Sequence, residues 1–184
     1  MNKWNIKEQR AAVNYLVYEL TRKSLKHSKT GRPFVEKPID ISISHKNDIV
    51  GAAVVPNPYK VGIDIEYLKT HLNTRYFFGP VITNNETGFF KKFCKSNNFS
   101  YSSGIAIFWS IKESFFKCID YGLKPAKISI SEISKKGTVR FLFSDEIEVL
   151  LAKKNLKIHS INVDFKGNYV FSWTIAETAS LLAN

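Results

Sequence analysis

The chain has 184 residues, 44% of them hydrophobic and 14% aromatic, enough for one packed domain or two small lobes sharing a core, and unlike a disordered protein. Lysine and arginine outnumber the acids 27 to 16, and the net charge of +11 points to an anionic partner: nucleic acid, an anionic membrane surface, an acidic protein or a phosphorylated cofactor. No apolar run approaches the ~18 residues that suggest a membrane span, and no apolar segment follows Lys3, Lys7, Glu8 and Arg10 as a secretory signal requires, which points to the cytoplasm.

Residues 4–26 are predicted as a first helix, with Ala12, Leu16 and Leu20 four apart and Val13 and Val17 widening the apolar stripe. Arg22, Lys23 and Lys26 at its end suit the helix dipole or form a basic edge that faces phosphates. A loop over residues 28–33 follows. Residues 39–45 alternate apolar and polar as a half-buried strand, 49–55 form a second strand and 61–66 a third. The turns between them, at Lys46-Asn47-Asp48 and Asn57-Pro58, are short enough to predict an antiparallel meander. Residues 69–100 read as interrupted helix. Gly79-Pro80 ends one piece, and Thr83 with Glu86 three positions on has the capping-box pattern of a new helix that stops before Asn97-Asn98.

A longer helix is predicted over 102–121, closed by Gly122 and Pro125, with Ile107, Ile111, Phe115 and Cys118 on one apolar stripe. Two hairpins end the chain: 128–133 with 138–143 around Lys136-Gly137, and 159–165 with 169–174 around Gly167-Asn168. Cys94 and Cys118 lack metal or redox spacing and read as reduced core thiols. The order of elements predicts an α+β fold, a single 1–184 domain made of two similar lobes, each a long helix on a small antiparallel sheet. The lobes are approximately 1–85 and 86–184, with their boundary within 69–100.

Two stretches carry chemistry. Asp64 and Glu66 lie two apart on a strand and project from the same side. They are either solvated carboxylates with Lys69 nearby or, with a third carboxylate from Glu113, ligands for a hard divalent cation that takes oxygen donors and substrate phosphates. Trp109, Glu113 and Lys117 recur every four residues and share a helix face. Glu before Lys at that spacing is also an ordinary helix-stabilising pair, worth roughly 0.2–0.5 kcal/mol.

Together, Gly62-Ile63-Asp64-Ile65-Glu66 and Trp109-Ser110-Ile111-Lys112-Glu113-Ser114-Phe115-Phe116-Lys117 resemble the 4′-phosphopantetheinyl transferases. That family is marked by a G-I/V-D-x-E strand and, further along, a W-x-x-K-E-A/S-x-x-K helix. Ile41-Ser42-Ile43-Ser44-His45-Lys46 is similar to its N-I/L-S-H-S segment, with Ser42 in place of the Asn and Lys46-Asn47 in place of Ser-Gly. Gly31-Arg32-Pro33 is similar to its G-K/R-P loop. The order and spacing resemble the surfactin-type subfamily of two pseudo-symmetric lobes rather than the short trimeric synthases.

The resemblance implies transfer of the 4′-phosphopantetheine arm of coenzyme A to a serine of an apo acyl, peptidyl or aryl carrier protein, with release of 3′,5′-ADP. It implies a monomer acting on an acidic carrier, with no nucleic acid or membrane partner. Asp64, Glu66 and Glu113 are then the ligands of Mg2+, or of Mn2+ in its place. Lys117 stabilises the leaving group, Lys112 is a flanking cation, and Glu113 or a metal-bound water is the base. Ser44 and His45, with Arg32, bind the 3′-phosphate; by itself, His45 also reads as a structural histidine. Glu86 matches a family glutamate, and its capping role suffices to explain it. The competing reading is a basic nucleic-acid-binding domain without catalysis, which the charge and aromatic content permit. Against it, no recognition-helix or RNP-like pattern is present, and the cations do not line one face.

Overall fold

The computed structural model describes residues 5–29, 31–36 and 38–179. Trp4, at the predicted start of the first helix, and Thr30 of the predicted loop lie outside them.

The first helix, α1 (Ile6–Thr21), opens on a capping box in which Asn5 and Glu8 exchange backbone and side-chain bonds. It stops five residues before the predicted end. Arg22 turns left-handed (φ 56°), and the Thr21 hydroxyl bonds back to the Val17 carbonyl. Lys26 therefore lies not on a helix end but on β1 (Lys26–His27), which pairs with β2 (Pro33–Phe34) across the loop. β3 (Ile39–Lys46) and β4 (Ile49–Pro56) form an antiparallel hairpin on which α1 packs Val13 and Val17, with Val35 and Ile41, as a small core.

The third strand, β5 (Tyr59–Tyr67), leaves the predicted meander. It has no ladder with β3 or β4 and instead pairs with β9 (Tyr169–Thr178), more than a hundred residues away. The edge of β5 that faces β3 is satisfied by side chains. The Val61, Ile63 and Ile65 amides donate to Asp40 Oδ2, Ser42 Oγ and Ser44 Oγ at 2.9, 3.0 and 3.2 Å. The alternating polar residues of β3, expected on a half-exposed face, are all buried because they replace a main-chain ladder.

Residues 69–100 are less helical than predicted. Short 3₁₀ turns at Thr74–Tyr76 and Asn84–Glu86 precede α2 (Thr87–Ser96), and the Thr83–Glu86 capping box is present. α3 (Tyr101–Ile119) starts at Ser100, whose hydroxyl accepts from the Ser103 amide, and ends at left-handed Asp120, ahead of Gly122. Ile107, Ile111 and Phe115 of its predicted stripe lie in the larger core, and Cys118 is buried where α3 meets Gly62 of β5.

The closing strands are β6 (Ile128–Ile133) with β7 (Val139–Phe143) and β8 (Leu156–Lys166) with β9. Between them lies a helix for which no element is predicted, α4 (Asp145–Lys153). Its signal is Asp145, Glu146 and Glu148 in the first turn and Lys153 in the last. Both cysteines are free and buried, and burial pushes their thiols up to about 11 for Cys94 and about 12 for Cys118. The architecture is α+β. No helix among the described residues is long and apolar enough to cross a membrane.

Candidate active site

α3 lies directly on β5 because Gly62 has no side chain. A Cβ there would stand 2.0 Å from the Ser114 carbonyl oxygen and 2.4 Å from the Cys118 nitrogen. This approach brings Asp64 under Lys117. The Lys117 ammonium stands 2.8 Å from Asp64 Oδ1, 3.1 Å from Glu113 Oε1 and 3.4 Å from Ser44 Oγ. Ser44 donates to the same Asp64 oxygen at 3.0 Å. The other oxygen, Asp64 Oδ2, is buried and has no hydrogen-bond partner.

Burial lifts the Asp64 carboxyl to about 6; Lys117 opposes the shift, while Glu113 and Glu66 add to it. Burial works against the Lys117 ammonium, but Asp64 and Glu113 outweigh it and hold its pKa above the ordinary lysine value. Lys117 is a cation at neutral pH.

Two cavities meet at this cluster. One, of about 580 Å³, lies between the Gly31-Arg32-Pro33 loop, residues 41–43 of β3 and the end of α3 through Leu123. The other, of about 780 Å³, lies between α1 (Arg10, Asn14), His27, residues 43–46 of β3 and β5. Ile43, Glu113 and Lys117 line both. Arg10 and His27, which no motif marks, face the second cavity. Arg10 sits on a flank of the α1 apolar stripe, one helical turn from Asn14, and that spacing is its signal.

The predicted site residues divide. Asp64, Glu113, Lys117 and Ser44 are brought together. Glu66 lies in the second cavity beside them, paired with Lys46 at 2.5 Å. His45 is exposed and lines the second cavity, whereas Ser44 next to it points the opposite way, into the cluster. Arg32 does not meet His45. Its guanidinium is clamped on Asp40 by two 2.9 Å bonds, donates to the Lys117 carbonyl oxygen at 3.2 Å and faces the other cavity. The expected Arg32–Ser44–His45 phosphate site is therefore not assembled, because Asp40 holds Arg32 at the end of α3.

Lys112 is not a flanking cation of the cleft either. It is fully buried on another face of α3, bonded to Glu86 and to the Val81 and Pro125 carbonyl oxygens at 2.6 and 3.2 Å. Its signal was available: Phe108, Phe115 and Phe116 stand four before, three after and four after it, so this side of the helix is apolar. Arg22 and Lys26, considered as a phosphate-facing edge, pair instead with surface Glu19 and Glu36.

Among the described residues no three His, Cys, Asp or Glu side chains are gathered tightly enough to hold a metal ion as they stand. Lys117 bridges Asp64 and Glu113, and Lys46 engages Glu66. The donor chemistry nevertheless fits a hard divalent cation: an unpartnered buried carboxylate oxygen with two further carboxylates in its field.

A family model described as the 4′-phosphopantetheinyl transferase superfamily matches residues 60–174, which include Gly62 to Glu66 and all of α3. No curated protein matches the chain. Among solved structures it is similar to the holo-ACP-synthase of Plasmodium yoelii, with a TM-score of 0.53, 14% identity, and coverage of 66% of this chain and 95% of that one. The holo-[acyl-carrier-protein] synthase of Neisseria meningitidis gives 0.52 at 19% identity, over 64% of this chain and 97% of that one. An ACPS–CoA complex from Chronobacterium ammoniagenes gives 0.50 at 15% identity, over 66% and 98%. At these identities the likeness to solved structures is one of fold.

Proposed function

This chain belongs to the 4′-phosphopantetheinyl transferase superfamily and is an enzyme of that kind, and from this premise we propose that it moves the 4′-phosphopantetheine arm of coenzyme A onto a serine of an apo carrier protein. The observation that carries the reading is the Asp64–Lys117–Glu113 cluster at the junction of two cavities. The carrier serine oxygen forms a bond to the phosphorus that bears pantetheine. The bond to the neighbouring phosphoryl oxygen breaks, and 3′,5′-ADP leaves with the electron pair.

Lys117, held as an ammonium, neutralises charge that develops on the phosphates. Glu113 borders both cavities and accepts the proton of the attacking hydroxyl. Ser44 fixes one oxygen of Asp64 and leaves the other free. Asp64, Glu66 and Glu113 would hold Mg2+, or Mn2+ in its place, which when bound neutralises the pyrophosphate. His45, with Arg10 and His27 around the same cavity, receives the 3′-phosphate.

The proposal extends to a two-lobe, surfactin-type monomer in the cytoplasm. The two-lobe part is supported by the pair of cores, one under α1 and one around α3, with β5 bonded to β3 on one edge and to β9 on the other. The surplus of positive charge suits an acidic acyl, peptidyl or aryl carrier. The test is to incubate the protein with coenzyme A, Mg2+ and a panel of apo carriers and read intact masses. One carrier should gain a single phosphopantetheine with equimolar release of 3′,5′-ADP; a panel left wholly unmodified would overturn the reading.

A further inference from the structure

The ammonium of Lys112 uses all three of its hydrogens inside the protein, on Glu86 Oε1, Val81 O and Pro125 O. Glu86 is equally committed. Oε1 also accepts from the Thr83 amide at 2.8 Å, and Oε2 accepts from the Ile130 amide at 2.5 Å. Both side chains are completely buried, so neither can touch a ligand. An ion pair taken this far out of water is no better for stability than apolar side chains of the same volume. What it adds is direction. Val81, Glu86 and Pro125 converge on one side chain of α3, and Glu86 in turn ties in the Thr83 and Ile130 amides.

The opposite face of α3 is fixed by a second polar set. Ser110 and Ser172 share a 2.8 Å bond, Ser172 donates to the Ser110 carbonyl oxygen at 2.7 Å, and Ser114 meets Thr174 at 3.1 Å. At about 100° per residue, Lys112 lies roughly opposite Ser110 and Ser114; Glu113 projects from the flank between them and Lys117 from beside Ser110. A helix gripped on two opposed faces cannot roll. We propose that Glu86 and Lys112 are positioning residues that set the rotation of α3, and so place Glu113 and Lys117 against Asp64.

The proposal rests on the transferase reading for its kinetic test. Lys112→Met, Glu86→Leu and the double variant would be compared with wild type by thermal unfolding and by steady-state transfer from coenzyme A. Each single variant strands a buried charge or its partners and should lower the melting temperature. The apolar double variant should melt near wild type, yet lose about tenfold to a hundredfold in kcat, with KM for coenzyme A little changed. A double variant with wild-type kcat, or one that fails to recover its melting temperature, would reduce the pair to a fold determinant and contradict the proposal.

A wild-type protein that modifies no carrier sinks the transferase reading alone. The crystal structure of the double variant then decides the positioning claim without turnover: Lys117 withdrawn from Asp64 supports it, and an unmoved Lys117 contradicts it.

Discussion

α3 carries two lysine–carboxylate clusters five residues apart, and they differ in almost everything except composition. Around Lys112 every donor and acceptor is matched, the pair is fully buried, and Glu86 and the Val81 and Pro125 carbonyl oxygens take the ammonium while the Thr83 and Ile130 amides hold Glu86. Around Lys117 the cluster is part-exposed, borders two cavities and leaves Asp64 Oδ2 unpartnered. The residue types, Lys with Glu or Asp, are those of a phosphoryl-transfer site in both places. Unspent bonding capacity at the mouth of a cavity separates the cluster we propose as catalytic from the pair we propose to position it.

The sharpest way to break this contrast is stability. Lys112→Ala leaves the Glu86 carboxyl group buried without its cation and should cost about 3–5 kcal/mol in urea unfolding. Lys117 is part-exposed, and its removal should cost clearly less. Equal losses would erase the distinction. The next largest effect reverses the order. Lys117→Ala should lower kcat about 100- to 1,000-fold in steady-state transfer, as loss of a charge-stabilising group does, with a smaller rise in KM for coenzyme A. A variant that loses only KM would make Lys117 a binding group.

Proton linkage sharpens the contrast further. The folded Asp64 carboxyl titrates near 6, above its ordinary 3.8, chiefly because it is buried. The folded state holds this proton more tightly than the unfolded chain. The group therefore subtracts stability above about pH 6, and the penalty disappears as pH falls from there toward 3.8. Asp64→Asn should melt higher than wild type at neutral pH, with the gap closing across that window. Saturating Mg2+ should shift the wild-type window to lower pH, because a cation favours the carboxylate. A pH-independent gap would mean that Asp64 is not held in the environment described.

The smallest expected effect is at the exposed edge. His45→Ala should raise KM for coenzyme A roughly tenfold, as loss of a charge-assisted hydrogen bond does, and should have little effect with 3′-dephospho-coenzyme A. An equal loss on both substrates would remove His45 from the 3′-phosphate.

The same contrast explains what the sequence made legible. Local periodicity located α3 with its stripe, the strand bearing Asp64 and Glu66, and the Thr83–Glu86 cap, because each is written within a few neighbouring residues. Gly62 was visible as a motif position, but the helix it admits was not. The pairing of β5 with β9 and the use of Asp40, Ser42 and Ser44 as a surrogate ladder depend on partners far along the chain, which alternation alone cannot name. Lys112, which the resemblance implies as a flanking cation, is instead buried among Phe108, Phe115 and Phe116 on Glu86. Adjacent helical residues diverge by about 100°, so a lysine beside a site residue does not thereby belong to the site.

The central claim is that the Asp64–Glu113–Lys117 junction receives the pyrophosphate of coenzyme A together with a divalent cation. It is tested most directly by crystals grown with coenzyme A and Mn2+, with anomalous scattering used to locate the metal. The account predicts a manganese peak bound by Asp64, Glu66 and Glu113, with the pyrophosphate against Lys117 and Lys112 still buried on Glu86. A peak elsewhere, or coenzyme A bound away from Lys117, would contradict it.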